Sequence, residues 1–149
     1  MIVVDASLGV KWLIREPESA AATALLSRHS GGLAAPDIFF VEVAGAIVRR
    51  ANEKALAAAD ARRLTQAWGQ AYVERTVAGY PTTSARLLAA ADFALMIGHP
   101  LKDCIYVTLA RELDCELVTC DARLRDKAAP FSRRVTLLSD YSDSSSISA

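Results

Sequence analysis

An α/β fold, built as a three-layer sandwich with a largely parallel central sheet flanked by helices, is predicted by three features of the sequence. The chain opens with Ile2-Val3-Val4, a β-branched apolar run that stops at Asp5, which reads as a short buried strand. A second apolar run, CELVTC, stops at Asp121. Between the two lie stretches of helical periodicity, and strands separated by helices pair in parallel through crossover connections. At 149 residues the chain is the size of one domain and closes a core without disulfide or metal staples.

Ser7 is expected to cap a short first helix through Leu13. Pro17 opens a second helix, ESAAATALLSRH, which Gly31-Gly32 ends. A strand over 33–35 leads through Pro36-Asp37 into a longer helix, IFFVEVAGAIVRRANEK, capped by Asp37. Phe40, Val43, Ala44, Ile47 and Val48 share one face of it. Residues from about 57 to 72 form the next helix, with Leu64, Ala67, Trp68 and Ala71 as its apolar stripe. Phe39, Phe40 and Trp68 belong to the core rather than to a base-stacking surface. A weak strand over 73–77 and a turn at Tyr80-Pro81 precede the helix SARLLAAADFALMIG, which Gly98-His99-Pro100 breaks. Asp103 is expected to cap CIYVTLARELD, whose Ile105, Leu109 and Leu113 fall on one face. The last strand is RVTLL. One domain over 1–140 is expected, followed by a polar, flexible tail over 141–149.

Composition excludes several function classes. No apolar run reaches the roughly 18 residues of a membrane span, because Asp5, Lys11 and Arg15 interrupt the first candidate. The N-terminus lacks the basic stretch and apolar core of a signal peptide. Cys104, Cys115 and Cys120 are an odd number of cysteines, and Cys115 and Cys120 should leave opposite faces of one strand. They read as small apolar residues of a reducing compartment, so a cytoplasmic location is expected. No CxxC pair or His/Cys cluster suggests zinc, and His29 and His99, each beside glycine or proline, read as loop residues. With 17 basic and 17 acidic residues the net charge is zero, which argues against a polyanion-binding surface overall but allows a basic strip beside an acidic pocket.

The carboxylates carry the chemistry. In open parallel sheets, ligands bind beyond the carboxyl ends of the strands. Asp5 and Asp121 each end a strand, Asp103 begins the helix before the CELVTC strand, and Glu42 lies one turn into the helix after the second strand. All four should reach the same edge. Carboxylates so close repel and raise one another's pKa, and a divalent cation removes that conflict. Oxygen ligands select a hard ion such as Mg²⁺ or Mn²⁺. No glycine-rich loop is present to cradle a nucleotide, and hydrolysis of a phosphodiester is the reaction that needs only metal, water and carboxylates.

The segments IVVDASLGVKWL, PDIFFVEVAGAIVRR and LKDCIYVTLARELDCELVTCDARL, with the closing RVTLL, resemble the PIN-domain ribonucleases. The likeness is specifically to the VapC-type toxins of bacterial toxin–antitoxin pairs, and it extends from residue 1 to about 140. The resemblance implies that Asp5, Glu42, Asp103 and Asp121 are catalytic, metal-binding residues of a Mg²⁺- or Mn²⁺-dependent endoribonuclease. It also implies an RNA substrate, a VapB-type antitoxin partner and a homodimer. Cys104 and Cys120 stand where the family often has alanine, and the stretch from Arg50 to Tyr80 carries little family signature. Ser7 and Thr119 are supporting candidates, Ser7 through a hydrogen bond to Asp5 and Thr119 through a carboxylate or water. Lys11, Arg15, Arg123 and Arg125 follow the site-bearing strands and are candidates for RNA phosphate contacts. The rival reading is a catalytically silent PIN-like module that binds RNA or protein. A receiver-type phosphoacceptor domain fits less well, since it needs an acidic pair after the first strand where this chain has DAS.

Overall fold

The structure, a computed structural model, describes residues 1–132 and 134–144. Its first strand, β1 (Ile2–Val4), is buried along its whole length, as expected of a β-branched run with no polar alternate positions. Asp5 follows in extended conformation and caps α1 (Ala6–Leu13), its side chain accepting from the Ser7 N–H. The cap is therefore Asp5 and not Ser7, which lies in the first turn. Next come α2 (Ser19–Arg28), β2 (Leu33–Pro36), α3 (Ile38–Asn52) and α4 (Ala58–Val73). The remaining elements are β3 (Ala78–Tyr80), α5 (Ser84–Ile97), α6 (Leu101–Glu112), β4 (Glu116–Thr119), α7 (Ala122–Ala128), β5 (Val135–Leu137) and α8 (Leu138–Ser144).

The five strands form one sheet in the order β3-β2-β1-β4-β5, and every pairing is parallel. From β1 the chain builds outward through β2 and β3, then returns to add β4 and β5 on the other side. The direction of winding thus reverses at β1, and a crevice opens there beyond the strand ends, where helices leave in opposite directions. Val4 pairs with Val118, and the Asp5 N–H donates to the Val118 carbonyl at 3.3 Å. This register sets Thr119 beside Asp5.

Helix α1 packs on α3 through a close approach at Gly9. A Cβ there would lie 2.5 Å from Val43 Cγ2 and 3.1 Å from the Phe39 ring. The inward face of α3 is Phe39, Val43 and Ile47. Phe40 is only half-buried and Val48 is exposed, so the stripe begins one residue earlier than the sequence suggests. Phe39 and Trp68 meet edge to face, with centroids 5.5 Å apart, and the Trp68 indole donates to the Phe40 carbonyl at 3.0 Å. On α4 only Ala61 and Trp68 are buried, while Ala67 faces solvent.

Three further expectations are corrected. Asp37 makes no side-chain cap on α3. It accepts instead from the N–H and hydroxyl of Thr82, at 3.1 and 2.7 Å, which ties the start of α3 to the chain leaving β3. The third strand falls on 78–80 rather than 73–77, since α4 runs on to Val73. The cap of α6 is Pro100, so Asp103 sits inside the first turn. At the other end, α8 takes up residues that composition assigned to a flexible tail. Tyr141 on α8 is held to His29 by a 2.7 Å hydrogen bond, and residues 145–149 of that tail lie outside the described residues.

Candidate active site

Asp5, Glu42, Asp103 and Asp121 all line one cavity of about 250 Å³ at the carboxyl edge of the sheet, together with Ser7, Tyr106, Arg49 and Lys102. The four carboxylates come from the α1 cap, the second turn of α3, the first turn of α6 and the α7 cap. A larger depression of about 650 Å³ beside β3 is lined by Phe40, Tyr72 and Val73. Its one carboxylate, Asp37, is already bonded to Thr82, so the chemistry belongs to the smaller cavity.

Asp5 is the most constrained of the four. Its Oδ1 accepts from the Ser7 N–H at 3.0 Å and from the Ser7 hydroxyl, and its Oδ2 accepts from the Thr119 hydroxyl. Those hydroxyls are anchored in turn. Ser7 Oγ accepts from the Cys120 N–H at 3.2 Å, and Thr119 Oγ1 accepts from the Asp121 N–H at 3.0 Å. Two side chains one step from the carboxylate thus lock its rotamer to the backbone after β4. Ser7 makes the hydrogen bond to Asp5 that was expected of it, and the carboxylate that Thr119 meets is that of Asp5.

Glu42 is half-buried and differently placed. Lys102 Nζ lies 3.6 Å from its Oε2, while its Oε1 is buried. The Tyr106 hydroxyl, on a residue only 1% exposed, is buried beside this carboxylate and interacts with it. Desolvation raises the Glu42 carboxyl above the ordinary carboxylate range, with Lys102 opposing and Asp103 reinforcing the rise. Burial and the neighbouring carboxylates push the Tyr106 phenol up as well, so it stays protonated. Asp121 spends Oδ1 on capping α7 through the Leu124 N–H at 3.0 Å, while its Oδ2 lies on the side of His99 and Asp103.

His99, read from sequence as a loop residue, is part of this site. Its Nε2 lies 3.0 Å from Asp103 Oδ2 and 3.5 Å from Asp121 Oδ2. Among the described residues, His99, Asp103 and Asp121 form a group whose ligand atoms all lie within 4.8 Å of one another. The four-residue spacing to Asp103 was the available signal, since helical spacing continued across Pro100 puts both on one face. Arg49 lies seven residues after Glu42 and so two turns further along the same face of α3. Lys11, by contrast, pairs with Glu16 at 3.1 Å and donates to the Pro17 carbonyl at 2.9 Å. Arg15 lines a separate depression with Glu16 and Ser19, and Arg123 and Arg125 lie on α7 outside the cavity lining, with Arg125 paired to Asp126 and Asp140.

The same fold is found among known proteins. The family model described as the PIN domain matches residues 2–130. The chain belongs to the PIN domain family. VapC ribonuclease Mb0985 of Mycobacterium bovis is 33% identical to this PIN domain over 126 residues, covering 85% of the chain and 90% of the relative. Ribonuclease VapC9 of Mycobacterium tuberculosis shows the same identity and coverage. Among solved structures, PAE2754 from Pyrobaculum aerophilum superposes with a TM-score of 0.70 at 18% identity, covering 98% of this chain and 89% of that one. A toxin-antitoxin complex from Klebsiella pneumoniae gives 0.64 at 14% identity over 93% of this chain and 98% of that one. These two likenesses are of fold.

The Asp5 environment of this PIN domain has a measurable consequence. Desolvation pushes the carboxyl up to about 6, although hydrogen bonds from Ser7 and Thr119 pull the other way and the Asp103 charge adds to the rise. Without metal, the folded state holds a proton between about 4 and 6 that the unfolded chain has released. Stability from this group is therefore present at low pH and lost as pH rises through about 6. Metal-free Asp5→Asn is expected to be more stable than the metal-free parent at about pH 8, with the gap closing below about pH 5. Thermal midpoints across that range measure it, and a pH-independent gap contradicts it.

Proposed function

We propose that this PIN domain is a divalent-metal-dependent endoribonuclease that hydrolyses RNA phosphodiester bonds as the toxin of a VapBC-type pair. The observation that carries the reading is the convergence of carboxylates from four separate elements on one cavity. Oxygen donors crowded in this way fit a hard divalent cation. Asp5, Glu42, Asp103 and Asp121 would hold it. When bound, Mg²⁺ or Mn²⁺ supplies charge that polarises the phosphate and acidifies water.

The chain's own residues have distinct tasks. Ser7 and Thr119 fix the Asp5 carboxylate, so it needs no reorganisation when substrate arrives. Asp121, held at the α7 cap by one oxygen, keeps the other directed into the cavity. Lys102 is largely exposed at its tip, and with Arg49 it brings positive charge to the mouth of an acidic site. These two side chains are placed to take the phosphates flanking the scissile bond, a role in which they replace Lys11 and Arg15. A VapB-type antitoxin, a second copy of the chain and a cytoplasmic setting complete the reading. The relatives named VapC ribonucleases support the activity. Leu88, Leu95 and Met96 along the exposed face of α5 support a second copy. No helix among the described residues is long and apolar enough to cross a membrane.

Metal removal tests the activity. Purified protein treated with chelator should not cleave single-stranded RNA, and added Mn²⁺ or Mg²⁺ should restore cleavage. Cleavage that persists in chelator would refute the metal dependence, and RNA binding without cleavage in either ion would favour the silent binding module.

A further inference from the structure

His99 has no task in the proposed reaction, yet its side chain is only 5% exposed, against 24% for Asp103 and 37% for Asp121. The ring stands at the break between α5 and α6, where Gly98 adopts a left-handed conformation (φ 65°) and Pro100 opens the next helix. Its backbone is fixed from two directions. The His99 N–H donates to the Ala94 carbonyl at 3.2 Å, and Lys127 from α7 donates to the Gly98 carbonyl. The ring nitrogens are in unequal surroundings. Nε2 faces two carboxylates, whereas Nδ1 is buried without a partner. Carboxylate oxygens only accept, so the nitrogen that faces them, Nε2, is the one that carries an N–H.

We propose that His99 is a positioning residue whose single Nε2–H, shared by Asp103 and Asp121, holds the first turns of α6 and α7 together and presents both carboxylates to one divalent cation. The inference rests on the reading of this cavity as a metal site. Direct ligation by Nε2 is the competing role, and the surroundings disfavour it. A metal-bound imidazole donates its other N–H to a carboxylate, carbonyl or water, and Nδ1 here has no such partner. The four-residue step between His99 and Asp103 makes the contact local, while the reach to Asp121 spans two helices that the chain connects only through β4.

The test measures Mn²⁺ and Mg²⁺ affinity by calorimetry for the parent, His99→Leu and His99→Gln, alongside metal-free thermal midpoints. Loss of a partner that orients metal ligands typically weakens metal binding 10–100-fold. His99→Leu, which fills the space without a donor, is expected to weaken both ions equally, by about 10-fold or more. His99→Gln offers an amide N–H at a similar reach and should stay within about threefold of the parent. His99→Leu with parental affinity overturns the proposal, whatever its midpoint, because the ring then only packs. Selective loss of Mn²⁺ in both variants makes His99 a ligand and overturns it too, as does equal loss without rescue by glutamine. Should His99→Leu fail to fold, His99→Met takes its place. A parent that binds neither ion refutes the metal reading itself, and the proposal with it. A parent that binds both while His99→Leu binds equally well refutes this proposal alone.

Discussion

Asp103→Asn is expected to lower RNA cleavage at least 100-fold while leaving the fold intact. Asp103 is the carboxylate whose charge reaches furthest across the cavity, since it raises the pKa of Asp5, Glu42 and Tyr106 alike. It therefore lies between the Asp5–Glu42 side of the pocket and the His99–Asp121 side, and both would draw on it to hold metal. Asparagine keeps the size and can still accept from His99, but it removes a charge from the shell. A 100-fold loss corresponds to about 2.7 kcal/mol of transition-state stabilisation. The metal-free variant should meanwhile be no less stable than the parent, because like charges are relieved. Single-turnover cleavage with circular dichroism as a fold control measures both effects. Undiminished cleavage by folded Asp103→Asn refutes the mechanism.

Gly9→Ala is expected to destabilise the protein by about 2 kcal/mol, a typical cost of overpacking, and to lower the thermal midpoint by roughly 4–8 °C for a chain of this size. The added methyl would meet Val43 Cγ2 at 2.5 Å. Val43 is fully buried and β-branched, so it has little freedom to turn away. The strain must instead part α1 from α3. Those two helices carry Asp5 and Ser7 on one side and Glu42 on the other, so the separation widens the cavity at its centre. Metal affinity should fall together with stability, and a variant that loses neither shows that the α1–α3 contact is looser than this geometry.

Much of the protein follows from local pattern. The β-branched run before Asp5, the alternation of strands with amphipathic helices and the family likeness led to the parallel sheet, and the structure has it. Convergence of the four carboxylates was also legible, because strand direction alone assigns Asp5 and Asp121 to one edge. Helix ends were harder. Ser7, Asp37 and Asp103 are all good caps by residue type, yet each is used otherwise, since a side chain that can bond its own backbone bonds another partner when packing supplies one. Ser7 has Asp5 and Cys120, Asp37 has Thr82, and Asp103 has His99.

Charge was misjudged for the same reason. Lys11 follows the first strand closely, but Glu16 and the Pro17 carbonyl are nearer to it than the cavity is. Arg50, also drawn to Glu16 at 2.6 Å, completes a clamp from the α1–α2 connection to α3. Burial raises the Glu16 carboxyl, but the two cations outweigh that and hold it below the ordinary range. Arg49, one residue earlier, points instead to the site.

By itself the sequence determined the strand and helix alternation, the edge to which the acidic residues run and the ion class that oxygen ligands favour, because these depend on residue type and short-range period. Only the tertiary structure decided that the winding reverses at β1, that Thr119 stands beside Asp5 through the Val4–Val118 register, and that His99 closes the space between Asp103 and Asp121. Each of these joins residues distant along the chain or across a helix break. Pairing of that kind is set by how whole elements pack, which no local pattern encodes.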